Sequence, residues 1–139
     1  MAGQERSMKP PAPIGDSDVL AFARQLLTAR RGRNELLPDI AATDFVWIML
    51  VDLFVATEEG ERLSLSGLYS SLPIPKATAL RAISRLAKKG LLITEPDPQD
   101  RRRTLVCLSG ETHRLVHAVL QRKRRLLAKF QPKQRDAKT

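Results

Sequence analysis

The sequence predicts one mainly α-helical domain that carries a small β-hairpin. Its 139 residues and 42% apolar content are enough for a single core. It has only four Phe, one Trp and one Tyr, so smaller side chains must fill that core, and Leu and Ala favour helices. Apolar residues recur at helical spacing in several segments, whereas two short runs of strand-forming residues flank a turn-rich link.

Positive charge is concentrated in the second half of the chain. The net charge is +9, with 7 Lys and Arg against 10 acidic residues in 1–75, and 17 against 5 in 76–139. This asymmetry indicates a nucleic acid or another anionic surface as the partner. A merely solvated basic surface is the alternative interpretation.

The composition also predicts a cytoplasmic protein without a membrane span. Cys107 is the only cysteine, so no disulfide can form within the chain. The N-terminus lacks the apolar run of a signal peptide. The most apolar segment, 45–56, contains Asp52 and is shorter than the roughly 20 residues that a membrane span requires, so we expect it to be a buried helix.

Two helices are predicted in the first half, after a proline-rich tail at 1–15 that we expect to be disordered. The first helix, 16–33, begins at a cap formed by Asp16 or Ser17 and ends in an arginine-rich stretch. The second runs from an N-cap at Thr43 to about residue 57. It is apolar on all sides, which predicts a central position in the core.

A short helix, a sharp break and an amphipathic helix then form a helix-turn-helix. Ser64 can cap the short helix 65–72, and the break contains two prolines. The amphipathic helix, 76–89, places its apolar residues on one side, and Gly90 is suited to end it. Its opposite side carries Ala77, Arg81, Arg85 and Lys88, with Thr78 and Ser84 on the flanks.

The remaining segments predict a hairpin and one more helix. Strand-like runs at 91–94 and 104–108 flank a turn-rich link, so the hairpin has a long loop, 96–103, with three consecutive arginines. Ser109 can cap a last helix, 110–130, whose apolar spacing resembles a two-stranded seam that includes Lys123. Residues 131–139 are expected to be a flexible tail.

This order of elements is that of a winged helix-turn-helix domain, 16–130, with flanking N- and C-terminal helices. A cationic helix beside a cationic hairpin suits duplex DNA, a rod with two grooves and a charged backbone. We therefore predict that helix 76–89 enters the major groove and that wing 96–103 lies in the minor groove. Helices 16–33 and 110–130 are the predicted dimerisation helices of a homodimer.

The stretches 76–92 and 97–109 resemble the MarR family of bacterial transcriptional regulators. The resemblance extends over about 44–112, and the spacing from the hairpin arginines to Leu108 and Ser109 agrees with that family. Two features depart from it. Pro75 and Leu80 occupy positions where the family usually has small polar residues, and there is one C-terminal helix where the family commonly has two.

The resemblance implies a role for individual residues. Lys76, Thr78 and Arg81 would meet the major groove, and Arg85 would lie near a phosphate. Arg102 would enter the minor groove, oriented by a salt bridge from Asp100. The resemblance also implies a pocket for a small-molecule effector between the first two helices and the winged domain.

Arg101, Arg102 and Arg103 as a group suit a narrow minor groove, which attracts inserted arginine, although such a cluster also occurs on flexible loops. The basic run 122–125 suits phosphate binding and a solvated helix face equally well.

Other kinds of site are disfavoured. His113 and His117 are four residues apart, but no further ligand supports a metal site. No nucleotide-binding loop or catalytic constellation is present, so we expect neither an enzyme nor a cofactor. The alternative function is a winged-helix module that binds a protein or structured RNA.

Overall fold

The computed structural model describes residues 10–36 and 45–129. The elements in these ranges, in chain order, are α1 (Ser17–Leu36), α2 (Phe45–Glu58), β1 (Leu63–Ser64), α3 (Leu65–Ser70), α4 (Lys76–Lys88), β2 (Leu92–Asp97), β3 (Asp100–Leu108) and α5 (Gly110–Lys129). The predicted fold class, mainly α with a small β-hairpin in a winged helix-turn-helix arrangement, is confirmed. The predicted cap at Thr43 and the predicted tail 131–139 lie outside the described residues.

Polar side chains cap several helices as the sequence predicts. Asp16, rather than Ser17, accepts a hydrogen bond from the Val19 N–H, at 3.2 Å. Ser64 Oγ accepts from the Gly67 N–H at 3.1 Å. Helix α1 continues to Leu36 instead of ending at residue 33. Gly32 lowers helix propensity by about 1 kcal/mol but does not prevent the helix from continuing.

Gly90 ends α4 in a left-handed conformation, with φ of 79°. The Leu91 N–H donates to the Leu86 carbonyl and the Gly90 N–H to the Ala87 carbonyl, both at 3.0 Å. These two bonds form a Schellman motif, which directs the chain from α4 into the hairpin.

Helix α2 lies at the centre of the core. Its Met49, Val51, Leu53 and Phe54 are buried almost completely. They belong to one apolar cluster with residues from α1, the helix-turn-helix, the sheet and α5. The prediction of a central helix is therefore confirmed, and the winged half is built on a shared core.

The sheet has three antiparallel strands in the order β1–β3–β2. The ladder pairs Leu92 with Leu108 and continues to Asp97 opposite Asp100, with an irregularity between Pro96 and Asp97. The predicted long loop is therefore wrong, because only residues 98 and 99 connect the strands. The Gln99 N–H donates to Asp97 Oδ1 at 2.9 Å, and this local turn lets the polar residues join the ladder.

A buried carboxylate joins α2 to α5 and to the chain just before α1. Glu58 accepts hydrogen bonds from the backbone N–H groups of Ile14 and Gly15, at 2.7 and 2.9 Å. His113 Nε2 lies 2.7 Å from the same carboxylate, and both side chains are at most 2% exposed. Residues 14 and 15, the end of the predicted tail 1–15, are thus held in a defined position.

Hydrogen bonding and burial shift the pKa values of this pair. Burial alone raises the pKa of Glu58, but the N–H groups of Ile14, Gly15 and His113 outweigh it and bring the pKa below its usual 4.5. Burial lowers the pKa of His113 below 6.5, against the opposing influence of Glu58. A carboxylate only accepts, so Nε2–H of a neutral His113 is the donor.

Helix α5 divides its apolar residues between the core and the surface. Val116 and Leu120 are buried within the chain itself, and Lys123 Nζ lies 4.8 Å from the ring centroid of Trp47. The predicted seam is therefore only partly available to a second chain. Its exposed members and their neighbours are Leu115, Val119, Leu126 and Leu127.

Candidate nucleic-acid interface

Helix α4 separates its apolar and cationic sides clearly. Ala79, Ala82 and Ile83 are buried against the core. On the opposite side the exposed residues are Ala77, Arg81, Arg85 and Lys88. The predicted faces of this helix are thus confirmed, and the 3.6-residue period explains them, since residues three and four apart share a side.

The first turn of α4 places Lys76 and Thr78 differently from the arginines. Lys76 Nζ lies 5.2 Å from the ring centroid of Tyr69, which belongs to α3. This cation–π contact fixes the ammonium group at the junction of the two helices. Thr78 is half-buried on the flank of the cationic face.

The wing arginines lie on β3 rather than on a loop. Asp100 holds Arg102 by two contacts, Nε to Oδ1 at 3.1 Å and Nη2 to Oδ2 at 3.3 Å. Hydrogen bonds from the side chain and backbone of Arg102 lower the pKa of Asp100 below its usual value. The predicted Asp100–Arg102 salt bridge is present, while the Arg102 side chain remains 91% exposed.

Each acidic residue between 76 and 103 is paired with an arginine. Glu95 pairs with Arg62, Asp97 lies 3.9 Å from Arg103, and Asp100 holds Arg102. Within the described ranges, the structure shows no ion pair for four cations of this region: Arg81, Arg85, Lys88 and Arg101. The surface made by α4 and the wing therefore presents a net positive field.

A cleft of about 310 Å³ separates α4 from the wing. Its lining residues are Leu65, Leu80, Ile83, Ser84, Ala87, Thr94 and Thr104. Sequence reasoning assigned Thr94 and Thr104 only to strand propensity and so missed this feature. Strand alternation places Thr104 on the same face as Asp100 and Arg102, and that face borders α4.

The histidines and the cysteine have structural surroundings. His113 contacts Glu58, and His117 Nε2 lies 2.9 Å from Asp16 Oδ2. Among residues 10–36 and 45–129, no group of three or more His, Cys, Asp or Glu could hold a metal ion. Cys107 is buried, and burial raises the pKa of its thiol.

In the same ranges, no helix is both long and apolar enough to cross a bilayer. The helix-turn-helix, the hairpin beside it and the cationic side of α4 together define a winged helix-turn-helix protein with a basic recognition surface.

The comparison with protein families agrees with this class. Residues 52–103, from within α2 to the third wing arginine, match the model of the MarR family. The resemblance to the MarR family inferred from the sequence is thereby confirmed, and the chain is MarR-like. This match and the winged-helix fold support the class of DNA-binding transcription regulators.

Solved structures show the same fold. MepR of S. aureus in its DNA-binding conformation is 18% identical, with a TM-score of 0.53 over 85% of this chain and 86% of that one. BpsR of Bordetella bronchiseptica is 25% identical, with a TM-score of 0.49 over 91% of each chain. A probable transcriptional regulator from Pseudomonas aeruginosa is 26% identical, with a TM-score of 0.47 over 86% and 87%. No curated protein sequence matches.

Proposed function

We propose that this protein is a sequence-specific regulator of transcription that binds double-stranded DNA as a homodimer. The observation that carries the proposal is the shared position of two cationic surfaces, the outer side of α4 and the Arg102 face of the wing, on either side of one cleft. Helix α4 enters the major groove, and the wing lies in the adjacent minor groove. No catalytic role is proposed.

Helix α4 supplies the contacts that read sequence. Arg81 and Arg85 are exposed, lie one helical turn apart and have no described ion-pair partner. A guanidinium group suits either a bidentate contact to guanine or a phosphate clamp. We assign the base contact to Arg81, nearer the start of α4, and the phosphate contact to Arg85. Lys76 and Thr78 contact the DNA at the first turn.

The wing supplies contacts that respond to groove shape. Asp100 directs Arg102 outward, so this guanidinium group is held in position before DNA binds. A narrow minor groove concentrates negative potential and attracts such a group. Arg101 and Arg103 neutralise the flanking phosphates, and this wing contributes affinity with little base discrimination.

Exposed apolar residues on α5 support the homodimer. Leu115, Val119 and Leu126 are 57%, 41% and 44% exposed, and they share one side of the helix with Arg122. A second copy that covers this side, together with α1, gives a two-fold symmetric dimer. Its two α4 helices then require half-sites about 34 Å apart, or a multiple of that distance.

A small-molecule effector is part of the proposal. A cleft of about 340 Å³ lies between α1 and α2, with Leu27 and Val55 as apolar lining and the Arg24–Glu59 ion pair at its edge. A ligand bound here contacts both the predicted dimerisation helix α1 and the central helix α2. It would therefore shift the spacing of the two recognition helices.

Selection of bound fragments from random duplexes, followed by titration at several salt concentrations, tests the proposal. Each phosphate contact is expected to add about −0.9 to the slope of log K against log salt. Arg81→Ala should cost about 1–3 kcal/mol on the selected site and relax its base preference. Arg114→Ala is the matched control, because it removes one exposed charge from α5, which carries none of the proposed DNA contacts.

Two outcomes would contradict the proposal. A flat salt response, or preference for structured RNA over duplex DNA, would instead support a winged-helix interaction module. Equal duplex affinity for the parent and Arg81→Ala would remove α4 from its assigned role.

A further inference from the structure

The cleft between α4 and the wing has an apolar floor and a hydroxyl rim. Leu65, Leu80 and Ile83 line it as apolar residues, and Ser84, Thr94 and Thr104 bring three hydroxyl groups to it from opposite walls. Ser84 belongs to α4, whereas the two threonines belong to β2 and β3. Three converging hydroxyl groups can donate hydrogen bonds to a ligand between the walls.

These hydroxyl groups are available to a ligand. Within the described part of the chain, the structure shows no side-chain hydrogen bond for Ser84, Thr94 or Thr104, although Ser64, Ser71, Ser109 and Thr112 all use theirs. Ser84 and Thr94 are exposed and Thr104 is half-buried. No carboxylate lines the cleft.

The cleft also has cations on both sides. Arg81, Arg85 and Lys88 are exposed on α4, and Arg102 lies on the strand face that also carries Thr104. The field at the cleft is therefore positive, while the groups that directly line it are neutral donors. This combination suits a phosphodiester, which is an anion with apolar sugar surfaces on each side.

The geometry of duplex DNA indicates which part of it would occupy the cleft. One sugar-phosphate strand separates each major groove from the neighbouring minor groove. If α4 lies in the major groove and the wing in the adjacent minor groove, that strand must pass between them. The cleft is the space between those two elements.

We infer that this cleft is a seat for one DNA strand, in which the hydroxyl groups of Ser84, Thr94 and Thr104 donate hydrogen bonds to phosphate oxygens. The inference rests on the proposed function. The apolar floor packs against the C–H faces of the deoxyribose, which gives Leu80 a role as a sugar contact. These contacts set the register of α4 and the wing on the duplex without reading bases.

Isosteric removal of the hydroxyl groups tests the seat. The variants are Thr94→Val, Thr104→Val and Ser84→Ala, and the probe is the duplex selected from the random pool. Thr28→Val is the matched control, because its hydroxyl group lies on α1 and donates to the Arg24 carbonyl. We expect each cleft variant to lose about three- to tenfold in affinity, by the same factor on selected and unselected duplexes, while the control is unchanged.

A methylphosphonate scan of the same duplex localises the contact. Replacing the phosphate between the two grooves with a neutral methylphosphonate should weaken the parent but have a smaller effect on the triple cleft variant, because the lost contacts coincide. Parent-like affinity of the triple variant, with an unchanged melting temperature, would overturn the seat and leave DNA binding intact. Absence of duplex binding by the parent would instead refute the proposed function.

Discussion

Arg102 combines almost full exposure with a fixed geometry. Its guanidinium group is held by both oxygens of Asp100, which lies two residues earlier on the same strand face. An exposed ion pair of this kind contributes little to folding stability. Its effect on DNA binding is positional, because it reduces the freedom that the side chain loses on entering the minor groove.

Asp100→Asn separates orientation from net charge. The substitution adds one positive charge, so general attraction to the duplex predicts tighter binding. Loss of the two-point hold on Arg102 predicts the opposite. We expect affinity to fall about two- to fivefold in an anisotropy titration at fixed salt.

Arg101→Ala provides the reference for loss of a wing charge without a described ion pair. It should weaken binding and reduce the salt slope by about one contact. Tighter binding by Asp100→Asn would show that the carboxylate only repels the DNA.

At the scale of single elements, the end of α4 depends on Gly90. Its positive φ is disfavoured for any residue with a Cβ, although nothing lies within 4 Å of the place that a Cβ would occupy. Gly90→Ala should therefore lower the free energy of unfolding by about 1 kcal/mol through backbone strain alone. Urea unfolding with an unchanged m-value would measure it.

Lys89→Ala is the control for Gly90→Ala, since Lys89 precedes the glycine in an ordinary right-handed conformation. We expect it to alter unfolding by less than about 0.5 kcal/mol. An equal effect of both substitutions would show that the Schellman motif does not limit stability here.

Local patterns made α4 and its cap predictable, because helix periodicity and capping depend on residues only a few positions apart. The wing turn was not predicted, since the polar residues of its outer strands resemble a loop when no alternation of buried side chains is present. Strand β1 has two residues, and it exists through pairing of Leu63 with Val106, far along the chain. Distant pairing leaves no local signal.

The candidate site was predictable to the extent that its residues are charged. Arg81, Arg85 and Arg102 are identified by pattern and resemblance, and the structure places them at the surface. Thr94 and Thr104 could not be recognised, because their meeting with Ser84 depends on how the sheet packs against α4. The role of His113 depends on Glu58, 55 positions away.

At the scale of the whole molecule, Glu58 ties three parts of the chain together. Its carboxylate contacts the residues that precede α1 and the buried imidazole of α5. The His113 ring stacks on Phe54, with ring centroids 4.7 Å apart. Because α1 and α5 are the proposed dimerisation helices, this buried contact fixes their relative position within one subunit.

Acid should destabilise the protein in two stages. The folded-state pKa of His113 lies below 6.5, so the unfolded chain binds the proton more readily and stability falls as pH drops below about 6.5. The folded-state pKa of Glu58 lies below 4.5, so its contribution is present above that pH and is lost below it. Thermal melts between pH 8 and pH 3 would follow both stages.

Glu58→Gln should remove the lower stage and cost about 2 kcal/mol at neutral pH, because the buried donors then face a weaker acceptor. Glu59→Gln is the matched control, since Glu59 pairs with Arg24 at the surface. A melting temperature independent of pH between 7 and 4 in the parent would contradict this account.

The exposed side of α5 predicts the assembly. Val119→Glu and Leu126→Glu place charges in an apolar interface where they have no assigned partner, so each should shift the chain from dimer to monomer by light scattering. Ala118→Glu is the control, since Ala118 is exposed on the same helix but lies beside the apolar stripe. One recognition helix cannot span two half-sites, so the monomer should bind one half-site and lose about 10²-fold or more on the full site. A variant that stays dimeric, or a monomer with full affinity, would show that α5 is not the dimer contact.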